Sequence, residues 1–157
     1  MINLVLMRHG DAEPQFVSDA LRQLTPQGIR EVEQMAAYFA ANAEPFDYII
    51  SSPFVRAVQT AELMLAQQPT STQRQQIPEL VPEGDSAQVQ LYVDALLSLK
   101  PKARVLLVSH MPLVSFLVER FTQPGKTPIF ATASCALVQY QAGQGELVQL
   151  LTPDQQS

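Results

Sequence analysis

Cysteine is almost missing from this chain of 157 residues: Cys135 is the only one. An internal disulfide is therefore excluded, and a reducing compartment is the natural setting. A Cys-rich metal site is excluded on the same count. Cys135 lies in the strand-like stretch "ATASCALVQY" and reads as a buried, inert thiol. Basic residues are also in short supply, ten against fifteen acidic ones, for a net charge of -5. That balance argues against a nucleic-acid binder, which needs a basic face. It also makes each arginine informative, because an acidic protein that handles an anion must gather its few arginines locally. No apolar run approaches the roughly 20 residues that span a bilayer. The opening "MINLVLM" has no basic leader and soon meets charge at Arg8, so it does not read as a signal peptide. A cytoplasmic protein without a membrane partner is expected.

What is present suits a globular chain, with a hydrophobic fraction of 46% and a charged fraction of 16%. At this length one domain over residues 1–157 is expected, burying roughly 70% of the surface its unfolded chain exposes. Apolar, β-rich runs occur at "INLVLM", "FDYIIS", "ARVLLVS" and "SCALVQY", with a weaker one at "ELVQLL". Helical spacing fills the intervals between the first four. "TPQGIREVEQMAAYFAAN" opens with Thr25 as N-cap and Pro26 in the first turn, then places Ile29, Val32, Met35, Ala36 and Phe39 on one face. "SPFVRAVQTAELMLAQQ" repeats the device with Ser52 as cap and Pro53 after it. "DSAQVQLYVDALLSL" groups Val89, Tyr92, Val93, Leu96 and Leu97, and "MPLVSFLVERF" starts a last helix at Pro112.

Strands alternating with helices predict a three-layer α/β/α fold around a mostly parallel central sheet. "QAGQGE" between the last two strands reads as a hairpin turn, which gives an antiparallel edge strand. "QQPTSTQRQQIP", residues 67–78, reads as a polar, mobile loop, and the tail "TPDQQS" as frayed. No internal repeat or dividing linker is visible.

Ligands of open α/β sheets bind at the carboxyl ends of the strands. Three strands here end in reactive residues: Arg8-His9, Ser51-Ser52 and Ser109-His110. The chain has two histidines, and both stand at such ends. Gly10 would let the backbone turn sharply after His9. Arg56 falls in the first turn of the helix capped by Ser52, where its guanidinium and the positive helix end can act on one anion. Arg8 offers planar, bidentate donors to phosphate oxygens. Taken singly, a strand-end histidine is usually structural and a helix arginine usually a solvated charge. Two of each at one sheet edge make a site. Two histidines could hold zinc, but the adjacent arginines would repel it, so an anion fits better and a phosphoryl group best.

"LMRHGDAE", "SSPFVRAVQTAE" and "VLLVSHMPLVSFL" resemble, in order and spacing, the signature segments of the histidine phosphatase superfamily, the phosphoglycerate mutase-like family. The resemblance runs from Val5 to about Val118. The short length, "SDALRQLTPQG" and "PELVPEGD" look like its SixA-type phosphohistidine phosphatase branch. By that resemblance His9 would be the nucleophile that becomes phosphorylated, with Arg8, Arg56 and His110 around the phosphoryl oxygens. Arg22, in the branch-specific segment, would be a further substrate contact. The resemblance implies two in-line displacements with no metal or other cofactor. Neighbouring Arg8 and Arg56 should disfavour protonated His9 and keep a lone pair available.

Larger superfamily members carry an acid on an insertion between the second and third motifs. Here the interval offers only Glu79, Glu83 and Asp85 as candidate proton donors, and a solvated loop with a capping Asp85 or Ser86 accounts for them equally well. An alkoxide leaving group needs such an acid; the imidazole of phosphohistidine is a weaker base and leaves with less help. The expected activity is therefore that of a protein phosphohistidine phosphatase. Its partner would be a histidine-phosphorylated phosphotransfer (HPt-type) domain of a sensor kinase or a phosphotransferase-system protein, met by a monomer. Two alternatives stand beside it: a small-molecule phosphomonoesterase of the same superfamily, and a non-catalytic phosphate-binding module.

Overall fold

The computed structural model describes residues 1–14, 17–141 and 143–153. Among these the elements run β1 (Leu4–Arg8), α1 (Pro26–Asn42), β2 (Tyr48–Ser51), α2 (Val55–Leu65), β3 (Gln73–Gln76), α3 (Ser86–Leu99), β4 (Val105–Ser109), α4 (Leu113–Phe121), β5 (Cys135–Gln141) and β6 (Gln144–Leu151). Short 3-10 turns stand at Asp19–Leu21 and Pro78–Leu80. One sheet takes the order β3-β2-β4-β1-β5-β6. Its first four strands pair parallel, while β5 is antiparallel to β1 and β6 antiparallel to β5. The expected α/β/α architecture is found.

Period-two alternation along the buried strands feeds two cores. Leu4 and Leu6 of β1 join a cluster with Val89 and Val93 of α3 and Leu113, Leu117 and Phe121 of α4. Val5 and Met7 point into the other, with Val32, Met35 and Phe39 of α1 and Ala57, Ala61 and Met64 of α2. Successive side chains on opposite faces, each face covered by a helix pair, explain why β1 and β4 are apolar at nearly every position.

Several expectations need correction. The strand containing Cys135 runs against β1 rather than with it. After α4 the segment 122–134 carries the chain back to the Arg8 end, where the Arg8 amide donates to the Ser134 carbonyl at 3.1 Å and the Ala133 amide to the His9 carbonyl at 3.0 Å. β5 therefore starts beside the end of β1, and the sheet has two antiparallel pairings at that side, with β5 alone running against the other strands. Within the stretch expected to be a mobile loop, Gln73–Gln76 form edge strand β3, paired from Tyr48↔Gln73 to Ser51↔Gln76. An edge strand needs one partner and tolerates polar side chains, so its sequence carries no apolar signal.

Thr25 caps α1 as expected, its Oγ1 accepting from the Gly28 amide at 3.0 Å. The buried stripe is narrower than expected: Val32, Met35, Ala36 and Phe39 are enclosed, whereas Ile29 is 39% exposed. On α3, Val89 and Val93 are buried, with Tyr92, Leu96 and Leu97 packed partly against them. Gly10 owes its identity to close packing rather than to a sharp turn, since its φ is not positive. A Cβ there would stand 2.7 Å from the Gly28 carbonyl oxygen and 2.8 Å from Cγ2 of Val32. Of the "TPDQQS" tail, residues 154–157 lie outside the described residues, as does Ala142 of the expected hairpin turn.

Candidate active site

Strand pairing brings the two histidines together. β1 and β4 are in register at Arg8↔Ser109, and the His9 amide donates to the Ser109 carbonyl at 3.0 Å. Each histidine follows the last residue of its strand, so the rings meet edge to face, centroids 5.0 Å apart. β2 lies on the other side of β4 and delivers Ser52, whose amide donates to the Val108 carbonyl at 3.1 Å. The Ser52 Oγ stands 2.8 Å from Nε2 of His110.

Hydrogen bonding fixes the form of His9. Its Nδ1 lies 2.7 Å from the Gly10 carbonyl oxygen, which can only accept, so Nδ1 carries the proton. Nε of Arg56 can only donate, and it does so to Nε2 of His9 at 3.2 Å. Nε2 therefore holds a lone pair. Burial leaves His9 6% exposed and, with the charges of Arg56, Arg8 and Arg22, pushes its pKa down to about 4 against a weaker opposing pull from the Gly10 carbonyl. His110 is pushed down to about 2 by burial, by His9 and by the same arginines. Both rings are neutral at pH 7. Nδ1 of His110 is buried without a hydrogen-bond partner among the described residues, as is Nε of Arg8.

Arg56 is the second residue of α2 and 4% exposed. Ser52 does not cap this helix as expected. The Phe54 backbone occupies the cap position, and Ser52 Oγ instead accepts from the Phe54 amide at 3.1 Å, bracing the turn that holds His110. The Phe54 ring packs 5.3 Å from the Arg56 guanidinium and 5.3 Å from the His110 ring. Arg8 donates from Nη1 to the Phe130 carbonyl at 2.8 Å. Burial draws its pKa down while Asp11 and Glu31 pull it up.

Sequence reasoning missed Asp19. Its carbonyl accepts from Arg56 Nη1 at 2.7 Å and its Oδ2 from Nη2 at 3.3 Å. Its Oδ1 accepts from Arg22 Nη1 at 3.0 Å, and Arg22 Nε donates to the Glu13 carbonyl at 2.6 Å. Partial burial opposes ionisation of Asp19, but the Arg22 hydrogen bond and the Arg56 charge outweigh it and lower its pKa. The i,i+3 spacing of Asp19 and Arg22 was the one signal available; nothing in the sequence links Asp19 to Arg56. Phe54 and Thr60, whose Oγ1 accepts from the Gly10 amide at 3.1 Å, stand outside the residues read from the sequence, and Ser52, read as a reactive strand end and helix cap, serves His110.

None of the three candidate proton donors is bonded to the cluster among the described residues, although the turn holding Glu79 reaches the end of β4, where the Leu80 carbonyl accepts from Ser109 Oγ at 2.6 Å. The Asp85 carboxylate accepts from the Ala87 amide at 2.8 Å, capping α3. Glu79 is half-buried in the turn before it and Glu83 is exposed. No hydrogen bond or ion pair joins any of them to Arg8, His9, Arg56 or His110 among the described residues. Nor do those residues include a group of three His, Cys, Asp or Glu side chains disposed to hold a metal ion. A groove of about 1600 Å³ opens at the other end of the strands, lined among others by Asn3, Asp47, Arg104 and Tyr140, and contains none of the cluster. The convergence of cations on a neutral imidazole marks this site.

Comparison with known proteins agrees with the geometry. Residues 4–81 match the family model of the histidine phosphatase superfamily, branch 1. The phosphohistidine phosphatase SixA of Escherichia coli K12 is 35% identical over 154 residues, covering 97% of this chain and 94% of that protein. A SixA homolog of Haemophilus influenzae is 29% identical, covering 94% and 93%. The solved structure of the protein histidine phosphatase SixA complexed with tungstate superposes with a TM-score of 0.91 at 33% identity, covering 97% of each chain. Sequence and structure thus converge with the cluster at the ends of β1 and β4: the chain belongs to the histidine phosphatase superfamily, among its SixA-type phosphohistidine phosphatases.

Proposed function

We propose that this chain removes the phosphoryl group from a phosphohistidine carried by a phosphotransfer domain of a sensor kinase or by a phosphotransferase-system protein, through a covalent intermediate on His9. One observation carries the reading: His9 is neutral, with the lone pair on Nε2 facing the Arg56 guanidinium. In the first displacement the entering phosphoryl oxygens take over the Arg56 Nε–H, the freed lone pair of Nε2 forms a bond to phosphorus, and the bond from phosphorus to the substrate imidazole breaks. The departing imidazole keeps the electron pair and takes a proton from water. In the second, water attacks phosphorus, the bond to Nε2 breaks, and inorganic phosphate leaves with His9 restored.

Arg8, Arg56 and His110 supply the surroundings of the transferred group in this reading. The guanidiniums give fixed positive charge where the equatorial oxygens stand, which is the main work of phosphoryl-transfer catalysis. The Ser52 hydroxyl can donate to Nε2 of His110, which leaves Nδ1–H of that ring as a donor to a phosphoryl oxygen. Arg22, drawn toward Arg56 by Asp19, would contact substrate at the mouth. Among the described residues no bond ties Glu79, Glu83 or Asp85 to Arg8, His9, Arg56 or His110, which suits a leaving group that needs no strong acid, as phosphohistidine does not. SixA of Escherichia coli, a phosphohistidine phosphatase by name, and the tungstate held by a SixA structure support both the substrate class and an oxyanion site.

We place the activity in the cytoplasm and in a monomer folded as one domain over residues 1–157. The single buried cysteine suits a reducing compartment, no helix among the described residues is long and apolar enough to cross a membrane, and one chain supplies every group named. The test is phosphate release, with EDTA present, from a histidine-phosphorylated phosphotransfer domain and from a panel of sugar phosphates. Fast release from the phosphoprotein, lost in His9→Ala, is expected. Release mainly from sugar phosphates would transfer the chain to the phosphomonoesterases.

A further inference from the structure

Arg56 spends its donors in two directions. Nε points at the Nε2 lone pair of His9, while Nη1 and Nη2 are held by the carbonyl and the carboxylate of one residue, Asp19. A guanidinium is planar, so fixing its two terminal nitrogens fixes where Nε points. The same carboxylate uses its other oxygen on Arg22, which lies three residues further along the chain. Asp19 is thus shared between a buried arginine of α2 and an arginine of the segment before α1.

We propose that Asp19 is a positioning residue for the nucleophile: it orients Arg56 onto His9 and draws Arg22 to the same mouth. The inference rests on the reading of His9 and Arg56 as attacking and gripping the phosphoryl group, and it adds what keeps them aligned. Asp19 does not donate the missing proton in this account, because two arginines stabilise its ionised form. Nor does it act as a plain counter-charge, and the two roles predict opposite effects on His9.

The charged and titratable groups around His9 are Arg8 on its own strand, Arg56 from α2, Arg22 after the first 3-10 turn and His110 after β4. Asp11 and Glu31, beside and on α1, act on Arg8. If Asp19 only supplied negative charge, its removal would leave the arginines unopposed and lower the His9 pKa further. If it positions them, its removal lets Arg56 and Arg22 drift from His9, and the pKa rises toward the ordinary histidine value.

The experiment uses Asp19→Ala and Asp19→Asn, the second keeping the volume and one acceptor. The His9 ring is titrated by NMR in the unliganded protein; with two histidines in the chain, His110→Asn completes the assignment. Turnover is then measured at neutral pH on a histidine-phosphorylated phosphotransfer domain and on phosphoramidate, which needs no protein contact. In Asp19→Ala the His9 pKa should rise by about half a unit or more. On both substrates kcat should fall at least about tenfold, as expected when a catalytic group loses alignment. Asp19→Asn should lie between Asp19→Ala and the parent, and it serves for both readings if Asp19→Ala does not fold. A pKa that stays or falls, or an unchanged kcat on phosphoramidate, overturns the proposal. Should the parent protein release phosphate from neither substrate, the phosphohistidine reading fails, and the titration alone decides whether Asp19 positions Arg56.

Discussion

Lowering the pH from 7 to 5 should destabilise this protein through its two histidines, and the amount follows from their surroundings. Both have native pKa values depressed below the ordinary histidine value of 6.5, to about 4 for His9 and about 2 for His110. At pH 5 the unfolded chain binds nearly one proton on each imidazole, while the native protein binds almost none. The unfolded state is therefore stabilised relative to the native one as pH falls through 6.5, and the loss of stability continues until the native ring also protonates. Between pH 7 and 5 the difference is about 1.4 pH units per histidine, or about 2 kcal/mol each and about 4 kcal/mol together. Against a typical total of about 5–15 kcal/mol this is a large share. Urea unfolding at the two pH values measures it, with His9→Asn, His110→Asn and the double variant as controls. Carboxylate titration is common to all four proteins and cancels in the comparison. The drop from pH 7 to pH 5 should shrink by about 2 kcal/mol for each histidine removed. An equal drop in all four proteins would mean that the native rings titrate like free ones, and the argument for a neutral nucleophile would fall with it.

Three further outcomes follow. Arg56→Lys keeps the charge but cannot reach His9 and Asp19 at once, so kcat for phosphoprotein hydrolysis should drop about 100-fold, the usual cost of one oriented donor, with stability by thermal unfolding little changed. Gly10→Ala would press a methyl group against the Gly28 carbonyl and Val32; overpacking of about 1–3 kcal/mol should appear as a lower melting temperature by calorimetry. Cys135 is fully buried and burial raises its thiol pKa well above the ordinary value, so it should react with a thiol reagent in the native protein only at the rate of unfolding and at once in denaturant.

Much of this was legible in the sequence, for identifiable reasons. Leu4 to Met7 and Val105 to Val108 are apolar at every position because helices cover both faces of the sheet, and a strand of that kind announces itself. His9 and His110 were located by where those strands stop. β3 was not legible, because Gln73–Gln76 pair on one side only and need no apolar residues. The direction of β5 was hidden as well, being set by the return of segment 122–134 to the Arg8 end and not by anything in the strand itself. Asp19 illustrates the general limit. Its partner Arg56 is 37 residues away, on an element whose placement no local pattern specifies. The cap on α2 was misread because Ser52 has the right residue type two positions too early, and its hydroxyl serves His110 instead.

The central claim is that Nε2 of His9 takes the phosphoryl group. The most direct measurement is a rapid-quench experiment in which the protein is mixed with a phosphotransfer domain carrying 32P on histidine and stopped in alkali, where phosphohistidine survives. The account predicts a transient label on the protein, at His9 by peptide mapping, that decays as inorganic phosphate appears and is missing in His9→Ala. Phosphate release without any labelled intermediate, or a label that persists when His9 is replaced, would contradict it.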